Sequence, residues 1–224
     1  MTDFATRVLN ANKDIFARQL AESTFGNASG KEGDTILIKP SGMAYDVITT
    51  GDLVGLNLAG AIISGNRRPS SDTPTHIEIY RSFAGVGGVV HTHSRFATIF
   101  AQAKMPIPCL GTTHADYFDG AIPVSRELSK AEIENDYEKN TGIALTQSVT
   151  DWRGVPAILV PGHGPFCWGE TVEDAVHNAA MLELVAFMAF QTLQLNSNAP
   201  ALSPALLQKH HKRKHGSSAY YGQP

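Results

Sequence analysis

Gly87-Gly88-Val89-Val90-His91-Thr92-His93-Ser94 is the stretch on which the fold prediction rests. Its small and β-branched residues, followed by a His-x-His pair, predict a buried strand that ends at the histidines. Side chains alternate between the two faces of a strand, so residues two apart point the same way. His91 and His93 should therefore present two imidazoles on one face, as a divalent transition metal requires of two ligands. The alternative to metal binding is that His91 and His93 are two ordinary surface histidines.

The composition of the chain is that of an ordinary globular protein. It has 224 residues, of which 42% are hydrophobic and 17% charged, and its formal net charge is −3. This length suits one domain of generous size or two small ones. Without a global charge excess, we expect no nucleic-acid partner and no membrane partner. The basic run at residues 209–215 is short and interleaved with histidine, which favours a solvated helix or a subunit interface.

Nothing in the sequence predicts export or membrane insertion. The first residues carry no basic segment followed by an apolar one, so we expect no secretory signal. The most apolar long run, residues 179–195, contains Glu183, Gln191 and Gln194, which favours a core helix over a membrane span. The two cysteines make no disulfide framework. We therefore expect a cytoplasmic protein.

Strands and helices are mixed along the chain without the regular alternation of a doubly wound fold. Helical spacing of apolar residues predicts an opening helix within residues 3–21 and a closing helix from Pro204. Thr171 is expected to cap a long helix that ends near Leu195. The other expectations are a turn-rich segment at 23–30; strands at 35–38, within 54–63, at 155–160 and at 166–168; a helix at 75–83 capped by Asp72 or Thr73, one at 95–104 capped by Ser94 and one at 128–149; and a polar loop at 111–117.

A third histidine follows a predicted strand in the same manner as the first two. His163 stands between two glycines shortly after the strand at 155–160. Three nitrogen ligands with an open fourth position are typical of a catalytic metal site. Asp72, which precedes a predicted helix, could complete that site. His91, His93, His163 and Asp72 are therefore the candidate metal ligands.

Three segments have the small and hydroxyl-bearing residues that suit an anion. They are residues 23–30, Lys39-Pro40-Ser41-Gly42, and Ser70-Ser71 ahead of the helix at 75–83. Backbone N–H groups and hydroxyls in such loops, and at a helix N-terminus, can hold a phosphate. Each segment alone could equally be a plain turn or a helix cap. Beside a metal site, they indicate metal-dependent chemistry on a phosphorylated carbonyl compound.

Seven stretches of the chain carry a family resemblance. They are Gly26-Asn27; Lys39-Pro40-Ser41-Gly42; Pro69-Ser70-Ser71-Asp72-Thr73-Pro74-Thr75-His76; Val90-His91-Thr92-His93-Ser94; Gly111-Thr112-Thr113-His114-Ala115-Asp116-Tyr117; His163-Gly164-Pro165-Phe166; and Arg213-Lys214-His215-Gly216 through Tyr220-Tyr221-Gly222-Gln223. Over essentially its whole length the chain resembles the class II aldolase/adducin-like family. The fifth and seventh stretches resemble its L-ribulose-5-phosphate 4-epimerase branch.

The resemblance implies a fold and a metal. The fold is a single α/β domain over residues 1–224, with a mainly antiparallel central sheet flanked by helices in three layers. The metal is Zn²⁺, or another divalent transition metal, bound by His91, His93 and His163 with Asp72 at or near it.

The resemblance also implies a substrate site and an acid/base pair. Asp116 and Tyr221 would act as acid and base from opposite sides of the substrate. The C-terminal tyrosine would reach into the site of a neighbouring subunit in a homotetramer, so that the active site lies at the subunit interface. The residues implied to hold the substrate phosphate, or to lie close to it, are Gly26, Asn27, Lys39, Ser41, Gly42, Ser70 and Ser71.

For four further histidines the sequence gives weaker support for a role at the site. His76 and His177 lie on predicted helices and are expected to be structural. His114 and His210 could contact the substrate or support the residues that do.

The activity implied by the resemblance is the interconversion of L-ribulose 5-phosphate and D-xylulose 5-phosphate. Retro-aldol cleavage of C3–C4 and re-addition to the other face would invert C4. One alternative is a class II sugar-phosphate aldolase, for example for fuculose 1-phosphate, which releases the aldehyde. A less favoured alternative is a non-enzymatic adducin-like interaction module. A small phosphorylated ketopentose as substrate would place the reaction in pentose catabolism, either from arabinose or along an ascorbate-type route.

Overall fold

Seven strands form the central layer of the protein. The computed structural model describes residues 2–215 and 219–221. The strands are β1 (Asn27–Glu32), β2 (Thr35–Ile38), β3 (Val54–Asn57), β4 (Ile62–Ser64), β5 (Gly88–His91), β6 (Ala157–Leu159) and β7 (Pro165–Gly169). They lie in the order β4-β3-β2-β1-β5-β7-β6, and each neighbouring pair is antiparallel. The expected α/β fold with a mainly antiparallel central sheet is confirmed.

Helices cover both faces of this sheet. They are α1 (Thr2–Ala17), α2 (Thr73–Ser82), α3 (Arg95–Ala103), α4 (Thr112–Ala115), α5 (Lys130–Glu134), α6 (Tyr137–Gln147), α7 (Val172–Leu195) and α8 (Pro204–Lys214). Helices α1, α3 and α7 pack on one face, where Ala28, Val90 and Cys167 contribute to the core. Helices α2 and α6 pack on the other face, over Val89 and Trp168. Val89 and Val90 thus serve different cores, as the period-two pattern of a strand requires.

Two glycines let β5 lie close to the start of α7. A Cβ atom at Gly87 or Gly88 would overlap the backbone of residues 170–172. Glycine lacks this atom, so the pair allows an approach that no other residue permits. The approach fixes the strand that carries His91 at its end.

The acidic residue within the apolar helix α7 has a structural role. The two oxygens of the Glu183 carboxylate accept hydrogen bonds from the backbone N–H groups of Phe96 and Ala97, at 2.9 and 3.0 Å. These N–H groups belong to the first turn of α3, which has no intrahelical partner for them. Ser94, the expected cap, occupies the N-cap position, but its side chain makes no capping hydrogen bond. Glu183 therefore caps this helix from a distant part of the chain.

Helix α7 packs along the sheet. By length and composition it is the one described helix that could cross a membrane. Eight of its residues are buried in the protein, and Thr171 caps its N-terminus by accepting a hydrogen bond from the backbone N–H of Asp174. This packing agrees with the expected core helix. Its outer side exposes Leu184, Phe187 and Met188.

The segment at 23–30, expected to be turn-rich, contains the start of β1. This strand lies in the centre of the sheet, between β2 and β5. Its sequence, Asn-Ala-Ser-Gly-Lys-Glu, carries no β-branched residue, so propensity does not predict it. Tertiary contacts fix it instead: the Asn12 side chain bonds both the N–H and the C=O of Ala28, at 2.8 and 2.9 Å. A Cβ at Gly30 would collide with Val8 of α1.

Two other expectations need correction. The loop at 111–117 contains the short helix α4. The single helix expected at 128–149 is instead α5 followed by α6. Asp136 separates them with a φ of +54°, a left-handed conformation that an α-helix cannot contain.

Candidate metal and phosphate site

Three imidazoles meet at one end of the central strands. His91 ends β5, His93 lies two residues beyond it, and His163 lies in the loop between β6 and β7. One ring nitrogen from each lies within 4.8 Å of the other two. Because β5 pairs with β7, with His91 opposite Phe166, the loop before β7 arrives at the end of β5. The structure thus brings the three predicted ligands together.

Hydrogen bonding leaves the Nε2 lone pair of His91 available to a cation. Its Nδ1 lies 2.9 Å from the carbonyl oxygen of Pro165. A carbonyl only accepts, so Nδ1 carries the proton. Nε2 of His91 lies 3.1 Å from Nε2 of His93. Two bare nitrogens repel one another at this distance unless a proton or a cation lies between them. Phe166 stacks on His91, with 4.3 Å between the ring centres, and fixes its plane.

The other two imidazoles are held in the neutral form. Partial loss of solvation of the His93 ring, followed by the nearby His91, lowers the pKa of His93. Burial, followed by His91 and His93, lowers the pKa of His163 to about 4. Neutral imidazole is the form that binds a metal. The donor set therefore fits a divalent transition metal such as Zn²⁺ with an open coordination position.

Asp72 lies beside the histidines as an ionised carboxylate. Burial alone would raise its pKa, but the interactions with His91 and His76 and a hydrogen bond from Asn27 outweigh burial and lower it. Asp72 occupies the N-cap position of α2, yet its side chain makes no capping hydrogen bond. The compact cluster of ring nitrogens is formed by the three histidines, and Asp72 lines the same cavity. Its carboxylate is thus available to that cavity.

A single cavity of about 360 Å³ contains the candidate metal and phosphate residues. Its lining includes Gly26, Asn27, Lys39, Ser41, Gly42, Ser70, Ser71, Asp72, His91, His93 and His163. Two backbone hydrogen bonds hold its loops side by side: Ser70 N–H donates to the Lys39 carbonyl and Ser41 N–H to the Arg68 carbonyl, each at 3.0 Å. These bonds use backbone donors that the sequence suggested were free for an anion. The hydroxyls of Ser41 and Ser71, with Lys39, are the groups suited to a phosphate.

Asn27, which lines this cavity, has a buried acceptor without a partner in the part of the chain that the structure describes. Its Nδ2 donates to Ser70 Oγ at 3.0 Å and to Asp72 Oδ2 at 2.7 Å. An ionised carboxylate only accepts, so the amide cannot be turned the other way. Asn27 Oδ1 is buried and has no hydrogen-bond partner within the described residues. A free acceptor matches a sugar hydroxyl better than a phosphate oxygen, whereas the resemblance implies a phosphate role for Asn27.

Lys39 is a buried ammonium group at the same cavity. It is 1% exposed. Its Nζ donates to the Thr24 carbonyl at 3.1 Å and lies 4.7 Å from the centre of the Tyr45 ring. Burial lowers its pKa to about 8. An anion that enters the cavity would supply the counter-charge that a buried ammonium lacks in an apolar setting.

We expect the affinity for phosphate to fall as the pH rises through about 8. Below that pH the Lys39 amine is protonated and attracts the anion; above it the amine is neutral and the attraction is lost. A bound anion raises the pKa of Lys39, so the midpoint should lie at or somewhat above about 8. The inhibition constant of inorganic phosphate, measured from about pH 6 to about pH 10, tests this. Lys39→Met should weaken binding by about tenfold or more and remove the dependence. A wild-type inhibition constant that stays flat across this range would contradict the role of Lys39.

Asp116 and Tyr221 lie together, but not in this cavity. The Asp116 carboxylate accepts hydrogen bonds from Arg213 Nε at 2.8 Å and Arg213 Nη2 at 2.5 Å, and lies 3.1 Å from His210 Nδ1. Burial works against ionisation of Asp116, but the bonds from Arg213 and His210 outweigh it and lower its pKa. The Tyr221 N–H donates to the Arg213 carbonyl at 3.0 Å, and the Tyr221 ring centre lies 4.8 Å from the guanidinium carbon. Neither residue is among the described residues that line the cavity. Arg213 therefore contacts both members of the predicted acid/base pair within one chain.

Gly216, Gly222 and Gln223 of the family stretch, and the terminal Pro224, lie outside the described residues.

The four other histidines considered in the sequence lie outside the three-histidine cluster. His76 is fully buried, with Nδ1 2.7 Å from Ser29 Oγ, and burial lowers its pKa to about 3. His114 lies 2.8 Å from the Gly120 carbonyl, which holds the turn after α4. His210 contacts Asp116, and His177 packs against the Tyr117 ring.

Three aromatic residues near the site were not expected from the sequence. Phe25 lines the cavity and stacks on His93, with 5.8 Å between the ring centres. The Tyr137 hydroxyl lies 3.5 Å from Nδ1 of His163. The Tyr45 hydroxyl donates to the carbonyls of residues 25 and 26. Spacing along the chain links none of them to a ligand; the position of Phe25 just before Gly26-Asn27 was the available signal.

A family model matches most of the chain. Residues 6–190 match the class II aldolase and adducin N-terminal domain. The chain belongs to this family. Class II aldolases act on sugar phosphates, typically depend on a divalent metal and are often oligomeric. The three-histidine cluster and the phosphate-type loops accord with the first two of these properties.

Several solved structures superpose on the chain. An L-fuculose 1-phosphate aldolase gives a TM-score of 0.83 at 19% identity, covering 95% of this chain and 96% of that one. The L-fuculose-1-phosphate aldolase of Thermus thermophilus gives 0.71 at 24% identity, covering 88% of this chain and 98% of that one. YgbL of Klebsiella pneumoniae, a candidate aldolase, epimerase or decarboxylase, gives 0.75 at 21% identity, covering 94% and 98%. At these identities the likeness shows the class II aldolase fold alone.

Proposed function

We propose that the protein is a metal-dependent L-ribulose-5-phosphate 4-epimerase. The observation that carries the proposal is one cavity lined both by three imidazoles and by two hydroxyl-bearing loops with Lys39. Such a cavity can hold the carbonyl end and the phosphate end of one small ketose phosphate at the same time. The segment 111–117 and the C-terminal tyrosines support the epimerase over an aldolase, because the resemblance to the epimerase branch rests on them.

The chemistry follows from the substrate. The hydrogen on C4 of ribulose 5-phosphate is not acidic, so simple deprotonation does not invert that carbon. The C4 hydroxyl permits retro-aldol cleavage instead: a base takes its proton, C4 becomes an aldehyde carbon, and the C3–C4 electron pair passes to C3. The fragments are the enediolate of dihydroxyacetone and glycolaldehyde phosphate. After the aldehyde rotates, the enediolate adds to its other face, and protonation of the C4 oxygen gives D-xylulose 5-phosphate.

The cavity residues divide this task between the two ends of the substrate. The three histidines, with Asp72 at or near them, hold the cation. When bound, this cation supplies a Lewis acid that stabilises negative charge beside a carbonyl. Lys39 and the hydroxyls of Ser41 and Ser71 hold the phosphate, so the aldehyde fragment stays in the cavity after the bond breaks. Tethering of this kind makes re-addition effectively unimolecular.

Asp116 and Tyr221 exchange protons with the C4 oxygen. Because Arg213 contacts both residues within one chain, action from opposite sides of the substrate requires that the two come from different copies. General acid–base help of this kind is typically worth ~10²–10⁴-fold. Within one chain they are not found in the cavity lining, so we infer that a neighbouring copy in a homotetramer supplies at least Tyr221. The active site then lies at the subunit interface.

The proposal also includes the identity of the cation, the cellular location, the metabolic role and the bounds of the domain. We take Zn²⁺ as the cation, the cytoplasm as the location and pentose catabolism as the role. We also propose that the family domain extends over residues 1–224.

Incubation of metal-loaded protein with L-ribulose 5-phosphate tests the function. We expect D-xylulose 5-phosphate to accumulate until the two pentuloses reach equilibrium, with little free dihydroxyacetone. Carbon-13 NMR of the mixture distinguishes both pentuloses from the fragments. Protein treated with a chelator serves as the control and should form neither product. Free dihydroxyacetone without any epimer would overturn the epimerase.

A sugar-phosphate aldolase is the second candidate. Fold similarity to fuculose-1-phosphate aldolases favours this candidate. An aldolase would carry out the same kind of carbon–carbon cleavage and then release the aldehyde. Formation of dihydroxyacetone phosphate from L-fuculose 1-phosphate would support this reading. An adducin-like interaction module, by contrast, needs no metal ligands, and this chain has all three histidines. A metal content near zero even after Zn²⁺ addition would favour the module.

A further inference from the structure

Phe25 is an exposed apolar side chain at a cavity whose lining is otherwise mainly polar. It is 61% exposed. The same cavity is lined by hydroxyls, an amide, an ammonium group, a carboxylate and three imidazoles. A single exposed phenylalanine has no meaning by itself. The contacts around this one, however, set its position.

The backbone that carries Phe25 is held from three sides. The Tyr45 hydroxyl lies 2.8 Å from the Phe25 carbonyl and 2.7 Å from the Gly26 carbonyl, and its proton is shared between them. Lys39 Nζ donates to the Thr24 carbonyl at 3.1 Å. Gly26 has a φ of +79°, and a Cβ there would lie 3.0 Å from the carbonyl oxygen of His91. The turn is therefore held against the end of β5, and the fold decides where the Phe25 ring lies.

The ring itself lies beside the candidate metal ligands. It stacks on His93 with 5.8 Å between the ring centres and 17° between the planes. His93 is exposed, whereas His91 is buried and His163 is intermediate. Phe25 and His93 are therefore both exposed at the histidine end of the cavity. A sugar phosphate whose carbonyl end is held by the three histidines would lie beside this ring.

We propose that Phe25 determines the fate of the cleaved substrate, because its ring lies beside the histidine end of the cavity and keeps the two fragments in contact. This inference rests on the proposed epimerase function. After cleavage the enediolate has two outcomes. In the first, its C3 attacks the aldehyde carbon, and the ketopentose re-forms. In the second, C3 takes up the proton that the base removed from the C4 hydroxyl, and dihydroxyacetone and glycolaldehyde phosphate leave separately.

The aromatic ring favours the first outcome for two physical reasons. Its face offers an apolar surface to the C–H groups of the fragments beside His93. It also excludes water, which would carry a proton to the enediolate. An aldolase has no need to retain its aldehyde, so the ring distinguishes re-addition from release.

The test is the ratio of free dihydroxyacetone to D-xylulose 5-phosphate formed from L-ribulose 5-phosphate. Phe25→Ala should raise this ratio about tenfold, which corresponds to about 1.4 kcal/mol between the two outcomes. Phe25→Tyr keeps the ring and should stay within about twofold of wild type, with Phe25→Leu between them. Phe16→Ala is the matched control. The exposed Phe16 ring stacks on Tyr45, whose hydroxyl bonds the Phe25 carbonyl, with 5.0 Å between the ring centres. Removing the Phe16 ring should leave the ratio unchanged. Metal content and melting temperature should be unchanged in Phe25→Ala, because the ring is largely exposed.

Any other result contradicts either the role of Phe25 or the proposed epimerase function. An unchanged ratio in Phe25→Ala, with wild type forming epimer, overturns the role of Phe25 and leaves the epimerase standing. An equal rise in Phe16→Ala would show a general loosening of the turn and overturn it as well. Loss of metal from Phe25→Ala would show that the ring acts through His93, which also contradicts the proposal. Wild-type protein that forms fragments and no epimer overturns the proposed function, and the role of Phe25 with it.

Discussion

Replacing His163 by asparagine is expected to remove the divalent cation and to lower epimerisation by at least about 10³-fold, since a bound cation contributes several kcal/mol. The residue supplies one of three ring nitrogens that lie within 4.8 Å of one another. It lies in a loop and not in a strand, so the sheet should fold without it. Metal per chain after gel filtration in Zn²⁺-containing buffer, and initial rates with L-ribulose 5-phosphate, measure the two effects.

The matched control is a histidine away from the cluster. His177 lies on α7 against the Tyr117 ring, and His177→Asn should keep both metal and activity. Circular dichroism should show both variants folded. If His163→Asn retains full metal and a wild-type rate, the three-histidine site is wrong.

Replacing Tyr221 by phenylalanine is expected to lower epimerisation by ~10²–10⁴-fold while metal content stays at the wild-type level. The change removes one hydroxyl only. The backbone hydrogen bond to the Arg213 carbonyl and the ring contact with the guanidinium both survive it. Tyr220→Phe is the matched control, because Tyr220 is also exposed and its N–H donates to the same carbonyl at 2.9 Å. It should keep the wild-type rate. Loss of metal from Tyr221→Phe would refute an acid/base role for Tyr221.

Mixing the two inactive variants tests where Tyr221 acts. A His163→Asn chain retains its tyrosine, and a Tyr221→Phe chain retains its histidines. If neighbouring copies share an active site, an equal mixture that exchanges subunits should recover about a quarter of the wild-type activity. About half of the sites then contain intact histidines, and about half of those receive an intact tyrosine from the neighbouring copy. If Tyr221 serves the cavity of its own chain, no site in the mixture is complete and the activity does not return.

The three-histidine cluster was predictable because local sequence patterns carry it. His91 and His93 are two apart at a strand end, and His163 stands between glycines after another apolar strand. The central strand β1 was not predictable, because its residues lack β propensity and its place depends on Asn12 and on the strands beside it. The cap of α3 was missed for a similar reason. Ser94 stands at the usual position, but a carboxylate from Glu183 reaches the same N–H groups.

The polar detail of the site depends on packing that no pattern encodes. For Asn27 the resemblance implies only a place near the substrate phosphate. Only its hydrogen bond to Asp72 shows that its free atom is an acceptor. Asp116 and Tyr221 were connected by resemblance, and their common neighbour Arg213 emerges only when α8 packs beside α4. The position of Phe25 before Gly26-Asn27 was the one signal for it in the sequence, and its contact with His93, far along the chain, emerges only in the fold.

The register of the central strands links ligand binding to the folding of the whole chain. Asn27 pairs with His91, and His91 pairs with Phe166. The cavity therefore does not exist until two pairings between distant parts of the chain have formed, which are the slow steps of folding. A ligand at 100 times its Kd stabilises the native state by about 2.7 kcal/mol, since the unfolded chain has no site. That stabilisation belongs to the whole sheet, so an ion or sugar phosphate at the strand ends should slow global unfolding and protect amides far from the site against exchange.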